Sequence, residues 1–186
     1  MRRRDVLRSL SALALGPLLS PLSAGQRMRL GAALHAGPTV AAGARLEVLD
    51  ARQAALVLAV ADTVLPRTDT PGALDAGVVE FLDRLLSAWH TELERTQFLA
   101  GLEAFDVQCR EATGQAFDAL DGAGRSGFLS GVDGAPRGAP GTSPAFYARL
   151  KEVTVFAFLT SKPVQETVFK TPIIPGRFEG CVPVSR

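Results

Sequence analysis

Cysteine, histidine and tryptophan are scarce in this chain. Its 186 residues include two cysteines, two histidines, one tryptophan and one tyrosine. Two cysteines allow at most one internal disulfide, or a bond to another chain. No Cys-x-x-Cys-His for a c-type haem is present, and two cysteines cannot form the quartet of an iron–sulfur cluster. His35 and His90 are too far apart in the chain to form a metal-ligand pair at close spacing. One lies in an aperiodic segment and the other at a helix end, so both are read as solvated. There is no Gly-x-Ser-x-Gly elbow, which argues against a serine hydrolase of the α/β type. Neither sign of charge dominates: the formal net charge is +1, with no basic stripe and no aromatic platform for nucleic acid. The apolar run Leu10 to Leu22 is shorter than the roughly 20 residues a bilayer requires, and Gly16, Pro17 and Pro21 interrupt it. No internal repeat is present.

What the chain does have begins at its N-terminus. Arg2-Arg3-Arg4-Asp5-Val6-Leu7-Arg8 places an arginine pair before one polar and two apolar residues, and the mildly apolar run follows. This is the layout of a bacterial twin-arginine export signal, with Arg3, Arg4, Val6 and Leu7 as the residues read by the receptor. That route carries proteins folded in the cytoplasm, so its passengers hold a cofactor or are bound to a partner that does. Leu22-Ser23-Ala24 is a loose small-x-small cleavage site, and the signal could also stay uncleaved. Residues 1–24 carry a surplus of three positive charges, which leaves the remainder near −2. About 160 residues are left, enough for one domain with its own core.

Helical signals fill most of that remainder. Residues 25–45 show no period and read as a flexible linker. Asp50 caps a helix that runs to Leu65 and is stopped by Pro66; its run Ala54 to Ala61 is apolar all round, the pattern of a central bundle helix. Pro71-Gly72 suits the centre of a type II turn, with glycine accepting positive φ. Val78, Phe81, Leu82, Leu85, Leu86 and Trp89 recur at helical spacing. Thr91 to Glu94 has the form of a capping box, opening a helix whose stripe is Phe98, Leu102, Phe105, Cys109 and Ala112, with Gly114 as its stop. Phe117, Leu120, Phe128, Leu129 and Val132 mark a weaker helical piece, followed by a Gly/Pro-rich loop from Gly134 to Thr142. Ser143-Pro144 opens the last helix, Ser143 as N-cap; its buried side is Phe146, Tyr147, Leu150, Val153, Ala157 and Thr160. The expected fold is all-α: a small helical bundle over residues 46–163, with an extended Pro/Gly-rich tail over 164–186.

Two motifs invite a catalytic reading. Gly122-Ala123-Gly124-Arg125-Ser126-Gly127 fits the dinucleotide fingerprint, but that chemistry needs a preceding strand and an acid about 20 residues on. Gln115 to Asp121 is no apolar β-run, so a turn in a helical hairpin is expected instead. Asp62, Arg67, Asp69 and Asp75 could do acid–base work. The structural alternative is that Asp69 and Asp75 cap turns and Asp62 pairs with Arg67. In either case the segment is a candidate docking surface, since a rigid polar-capped loop presents side chains well.

The stretch Ala61-Asp62-Thr63-Val64-Leu65-Pro66-Arg67-Thr68-Asp69-Thr70-Pro71-Gly72-Ala73, continuing to Asp75-Ala76-Gly77-Val78, resembles the signature of the gluconate 2-dehydrogenase subunit 3 family. Phe146 to Thr154, leading into Thr160-Ser161, resembles its last helix, and Pro175-Gly176-Arg177-Phe178-Glu179-Gly180-Cys181-Val182-Pro183 its C-terminal motif. Lys162-Pro163 departs from the pattern, which has an acidic residue and a glycine there. The resemblance implies a non-catalytic small subunit of a membrane-associated periplasmic dehydrogenase acting on gluconate, sugars or alcohols. No cofactor is expected in this chain. FAD is expected in a large partner subunit of the glucose-methanol-choline type, with a multihaem cytochrome c subunit as a further partner. The small subunit would aid maturation of the flavoprotein and take it to the twin-arginine translocase. Partner contacts would fall on Asp62, Arg67, Asp69, Pro71, Gly72, Arg177 and Cys181, with the tail wrapped on the large subunit. Cys181 could form a disulfide to the flavoprotein, pair with Cys109, or stay free. A stand-alone exported helical enzyme and a transient export chaperone are the rival readings.

Overall fold

The computed structural model describes residues 23–35, 46–136, 138 and 141–170, and every regular element among them is helical. In order these are α1 (Ala24–His35), α2 (Ala51–Val64), α3 (Val78–Ala88), α4 (Glu92–Thr113), a 3-10 turn (Phe117–Ala119), α5 (Gly122–Gly134), α6 (Ser143–Thr160) and the short α7 (Lys162–Val164), which runs into a π-turn over Gln165–Phe169.

Local chemistry accounts for most helix ends. Asp50 Oδ1 accepts the Gln53 N–H at 2.7 Å and Gln53 Oε1 accepts the Asp50 N–H at 3.0 Å, a reciprocal box that occupies two donors with no intrahelical partner. Thr91 and Glu94 repeat the device on α4. The Thr91 N–H and hydroxyl hold the Glu94 carboxyl below its ordinary range. Gly114 ends α4 in the left-handed conformation at φ 79°, which glycine adopts without a Cβ penalty. On α6 the N-cap is Thr142, one residue before the expected Ser143, and Pro144 lies in the first turn.

The core is organised on α6, which packs against α1, α2, α3, α4 and α5. This corrects the expectation that α2 is the central helix. Alanines make α2 apolar without enclosing it, and Ala51, Arg52 and Ala55 are exposed. On α6, by contrast, Val153 to Phe158 is buried on every side. Phe105 of α4 sits at the middle of an aromatic cluster: its ring centroid lies 5.6 Å from Phe117, 5.4 Å from Phe128, 6.1 Å from Phe146 and 6.2 Å from Tyr147. Contacts of this geometry join α4, α5, the 3-10 turn and α6. Two stripe assignments fail at their ends: Ala112, in the last turn of α4, is exposed, and Trp89, the C-cap of α3, is 60% exposed.

Two buried carboxylates tie distant segments together. Asp83 of α3 accepts the backbone N–H groups of Glu47, Val48 and Leu49 at 2.8–2.9 Å, fixing the approach to α2. Asp106 of α4 accepts Arg52 and Arg110, each at 2.8 Å, and the Phe117 N–H at 3.1 Å. Burial pushes the Asp106 carboxyl up, but these donors outweigh it and hold it below the ordinary aspartate range.

The aperiodic segment 25–45 reads as a linker, but its described part is helical, within Ala24–His35; residues 36–45 lie outside the described residues. Leu30 and Leu34 are buried in the common core, and the Arg84 guanidinium donates to the Leu34 carbonyl. Packing, rather than amphipathic period, stabilises α1. The chain also stays helical beyond Val164, through the π-turn to Phe169, so the expected extended tail does not begin there. Lys162-Pro163 lies in the first turn of α7, where proline's missing N–H has no helical partner to lose.

Candidate functional site

The α2–α3 connection, Leu65 to Gly77, is built from small buried residues at its root and larger exposed ones at its rim. The Leu65 carbonyl accepts the Ala73 N–H at 2.9 Å and closes the loop at its base. Ala73 and Ala76 are fully or nearly fully buried and anchor it to the core. Gly72 does not take the positive φ of a type II turn; Gly77 does, at φ 65°, immediately before α3. Gly72 is required for another reason: a Cβ there would lie 2.6 Å from the Arg67 backbone nitrogen, so the two arms of the loop could not close.

Charged side chains fasten the loop from outside. Arg67 pairs with Asp75 at 3.1 Å, in place of the expected partner Asp62. Asp75 is the partner because its other oxygen already accepts the Gly72 N–H at 2.8 Å, which holds the carboxylate beside Arg67. Asp69 accepts the Thr68 hydroxyl at 2.8 Å, and the Thr68 N–H meets the Thr70 carbonyl. Both Asp75 oxygens are thus engaged in holding the turn, which suits presentation better than proton transfer. Asp62 stays half-buried on the last turn of α2, and Pro71 is half-buried. Pro66, Arg67, Thr68 and Asp69 are exposed, as is Leu74, 65% accessible at the rim. The sequence signal for Leu74 is that it is one large aliphatic residue in an otherwise small and polar stretch, Arg67 to Gly77.

Other sequence candidates fall elsewhere. Gly122, Gly124 and Gly127 lie inside α5, capped by Asp121, so the segment is neither a strand–turn–helix nor the expected turn of a helical hairpin. Cys109 is a fully buried free thiol whose pKa burial pushes up. His90 is not a freely solvated ring: its Nδ1 lies 3.0 Å from the Leu85 carbonyl and its Nε2 3.1 Å from Arg149 Nη2. A guanidinium can only donate, so Nε2 accepts and Nδ1–H donates to Leu85. Burial pulls the Arg149 pKa down, against the opposing charges of Glu94 and Glu152. His35 closes α1 instead of lying in a linker. Among the described residues no group of three or more histidines, cysteines or carboxylates could hold a metal ion, and no helix is long and apolar enough to cross a membrane. Arg3, Arg4, Val6, Leu7, Arg177 and Cys181 lie outside the described residues.

Compared with known families, residues 51–176 match gluconate 2-dehydrogenase subunit 3. The chain belongs to that family. The match opens at the first residue of α2 and takes in the α2–α3 loop and the whole of α6, whereas α1 lies outside the matched span. None of the curated proteins and none of the solved structures compared with the chain matches it.

Proposed function

We propose that this chain is the non-catalytic small subunit of a membrane-associated periplasmic FAD-dependent dehydrogenase of gluconate, sugars or alcohols. It binds the flavoprotein subunit, aids its maturation, and takes it to the twin-arginine translocase through Arg3 and Arg4. The observation that carries this reading is the family match across the bundle. Its signature segment is folded as a closed loop with Arg67, Asp69 and Leu74 displayed at the rim. FAD belongs to the large partner, of the glucose-methanol-choline type, and a multihaem cytochrome c subunit takes the electrons onward. Asp62, Pro71 and Gly72 support the docking loop, and Arg177 and Cys181 extend the contact along the C-terminal segment.

Affinity purification of a C-terminally tagged chain from the native periplasmic and membrane fraction tests the proposal. A flavin absorbance band with a larger polypeptide in stoichiometric yield is the expected result. A colourless, solitary chain would move the assignment to the transient export chaperone; turnover by the solitary chain would move it to a stand-alone enzyme.

A further inference from the structure

We propose that N-terminal processing leaves α1 on the mature protein, with the export segment cut in the first turn of α1, after Ala24 or Gly25, and not downstream of the helix. The inference rests on the export reading above, but the family match does not imply it, because α1 precedes the matched residues.

Sequence alone offers competing sites. A signal peptidase reads small side chains at the first and third positions before the cut. Ser23-Ala24-Gly25 satisfies this for a cut after Gly25, and Leu22-Ser23-Ala24 does so loosely for a cut after Ala24; Thr39-Val40-Ala41 and Ala42-Gly43-Ala44 satisfy it too. The structure separates them. Leu30 and Leu34 are 7% and 3% exposed and belong to the same core as α3 and α6. Gly31 lies against Thr160 so closely that a Cβ would stand 2.6 Å from Thr160 Cγ2, an approach only glycine permits. Arg84 of α3 donates to the Leu34 carbonyl and holds the C-terminal end of α1. A cut after Ala41 or Ala44 would sever all of these contacts from the mature chain.

A cut in the first turn severs none of them. Ser23, Gly25 and Gln26 are exposed, and nothing lies within 4 Å of a Cβ built on Gly25. The turn is held by a small capping box, Gln26 Oε1 accepting the Ser23 N–H at 2.7 Å and Ser23 Oγ accepting the Gln26 N–H at 3.3 Å. An exposed helix end of this kind opens at little free-energy cost. It can take the extended form a peptidase requires while Leu30, Gly31 and Leu34 stay in place. The step is a hydrolysis: water supplies hydroxyl to the carbonyl of Ala24 or Gly25 and a proton to the released amine.

The test is to express the full chain in a bacterium with a twin-arginine pathway, recover the exported protein, and read its N-terminus by intact mass and sequencing. The expected first residue is Gly25 or Gln26. A first residue between 36 and 46, or exported protein still beginning at Met1, overturns the proposal. In parallel, chains beginning at Gly25 and at Arg45 are purified and melted. The shorter one is expected to melt lower by more than about 5 °C, or to fail to fold; coincident melting overturns the place of α1 in the fold. A chain found only in the cytoplasm overturns the export reading and the processing site with it, while the melting comparison still decides whether α1 belongs to the body.

Discussion

Gly101 and Gly131 both lie inside helices, where glycine costs about 1 kcal/mol relative to alanine, and their surroundings set opposite expectations. A Cβ on Gly101 would stand 2.6 Å from Phe146 Cδ2, and that ring is held by Phe98 and Phe105. Overpacking of this kind costs about 1–3 kcal/mol, which exceeds the gain in helix propensity. Nothing lies within 4 Å of a Cβ on Gly131. Gly101→Ala is therefore expected to lower the melting temperature and Gly131→Ala to raise it. A Gly101→Ala chain that melts higher would show that the Phe146 ring yields. Asp106 supplies a second test, through pH. Its folded-state carboxyl is held below the ordinary range, so its stabilisation is complete above about pH 4 and is lost as the pH falls further. Arg52 and Arg110 are largely exposed and their pairs are screened, so Asp106→Asn should cost only about 1–2 kcal/mol at pH 7. Urea midpoints measured between pH 7 and pH 3 should fall less steeply for that variant than for the parent chain.

At the scale of the element, the α2–α3 loop separates stability from binding. Leu74 is 65% accessible and lies outside the core, so Leu74→Asp should change stability by no more than about 0.5 kcal/mol. If the loop is the docking surface, the same change should weaken capture of the flavoprotein by tenfold or more, since an exposed apolar residue in a rigid polar frame is a natural anchor. Gly72→Ala should damage both, because the clash is with the Arg67 backbone and not with the end of a flexible side chain. Unchanged capture by Leu74→Asp would remove the loop from the interface. The cap residues of the neighbouring helices were legible in the sequence, Asp50 with Gln53 and Thr91 with Glu94, because each pair lies three residues apart. The role of Gly72 was not, since a close approach by Arg67 looks in sequence the same as a turn glycine.

For the whole molecule, α6 touches the other long helices, and the Phe105 cluster links four elements. A body joined in this way is expected to unfold in one cooperative transition, as small single domains do. If export follows the proposed route, the passenger is a finished bundle and the arginine pair at its N-terminus is the address. Replacing Arg3 and Arg4 with lysine should strand dehydrogenase activity in the cytoplasm, assayed by fractionation. Normal periplasmic activity in that variant would refute a signal shared by the two subunits.

The all-helical class, the caps at Asp50, Thr91 and Gly114, and the burial of Phe98, Leu102, Phe105 and Cys109 on α4 were legible in the sequence, because periodicity and capping act between residues at most four apart, and the family was legible in its signature segment, residues 61–78. Tertiary structure decided the rest. Asp83 became buried because it meets backbone donors 34 to 36 positions away. Arg67 turned to Asp75, and α6 took the centre from α2. α1 became an element because Leu30 and Leu34 found a place in the core and Gly31 a notch beside Thr160. A short helix without a strong apolar stripe is marginal alone in water, so its existence depends on what lies against it.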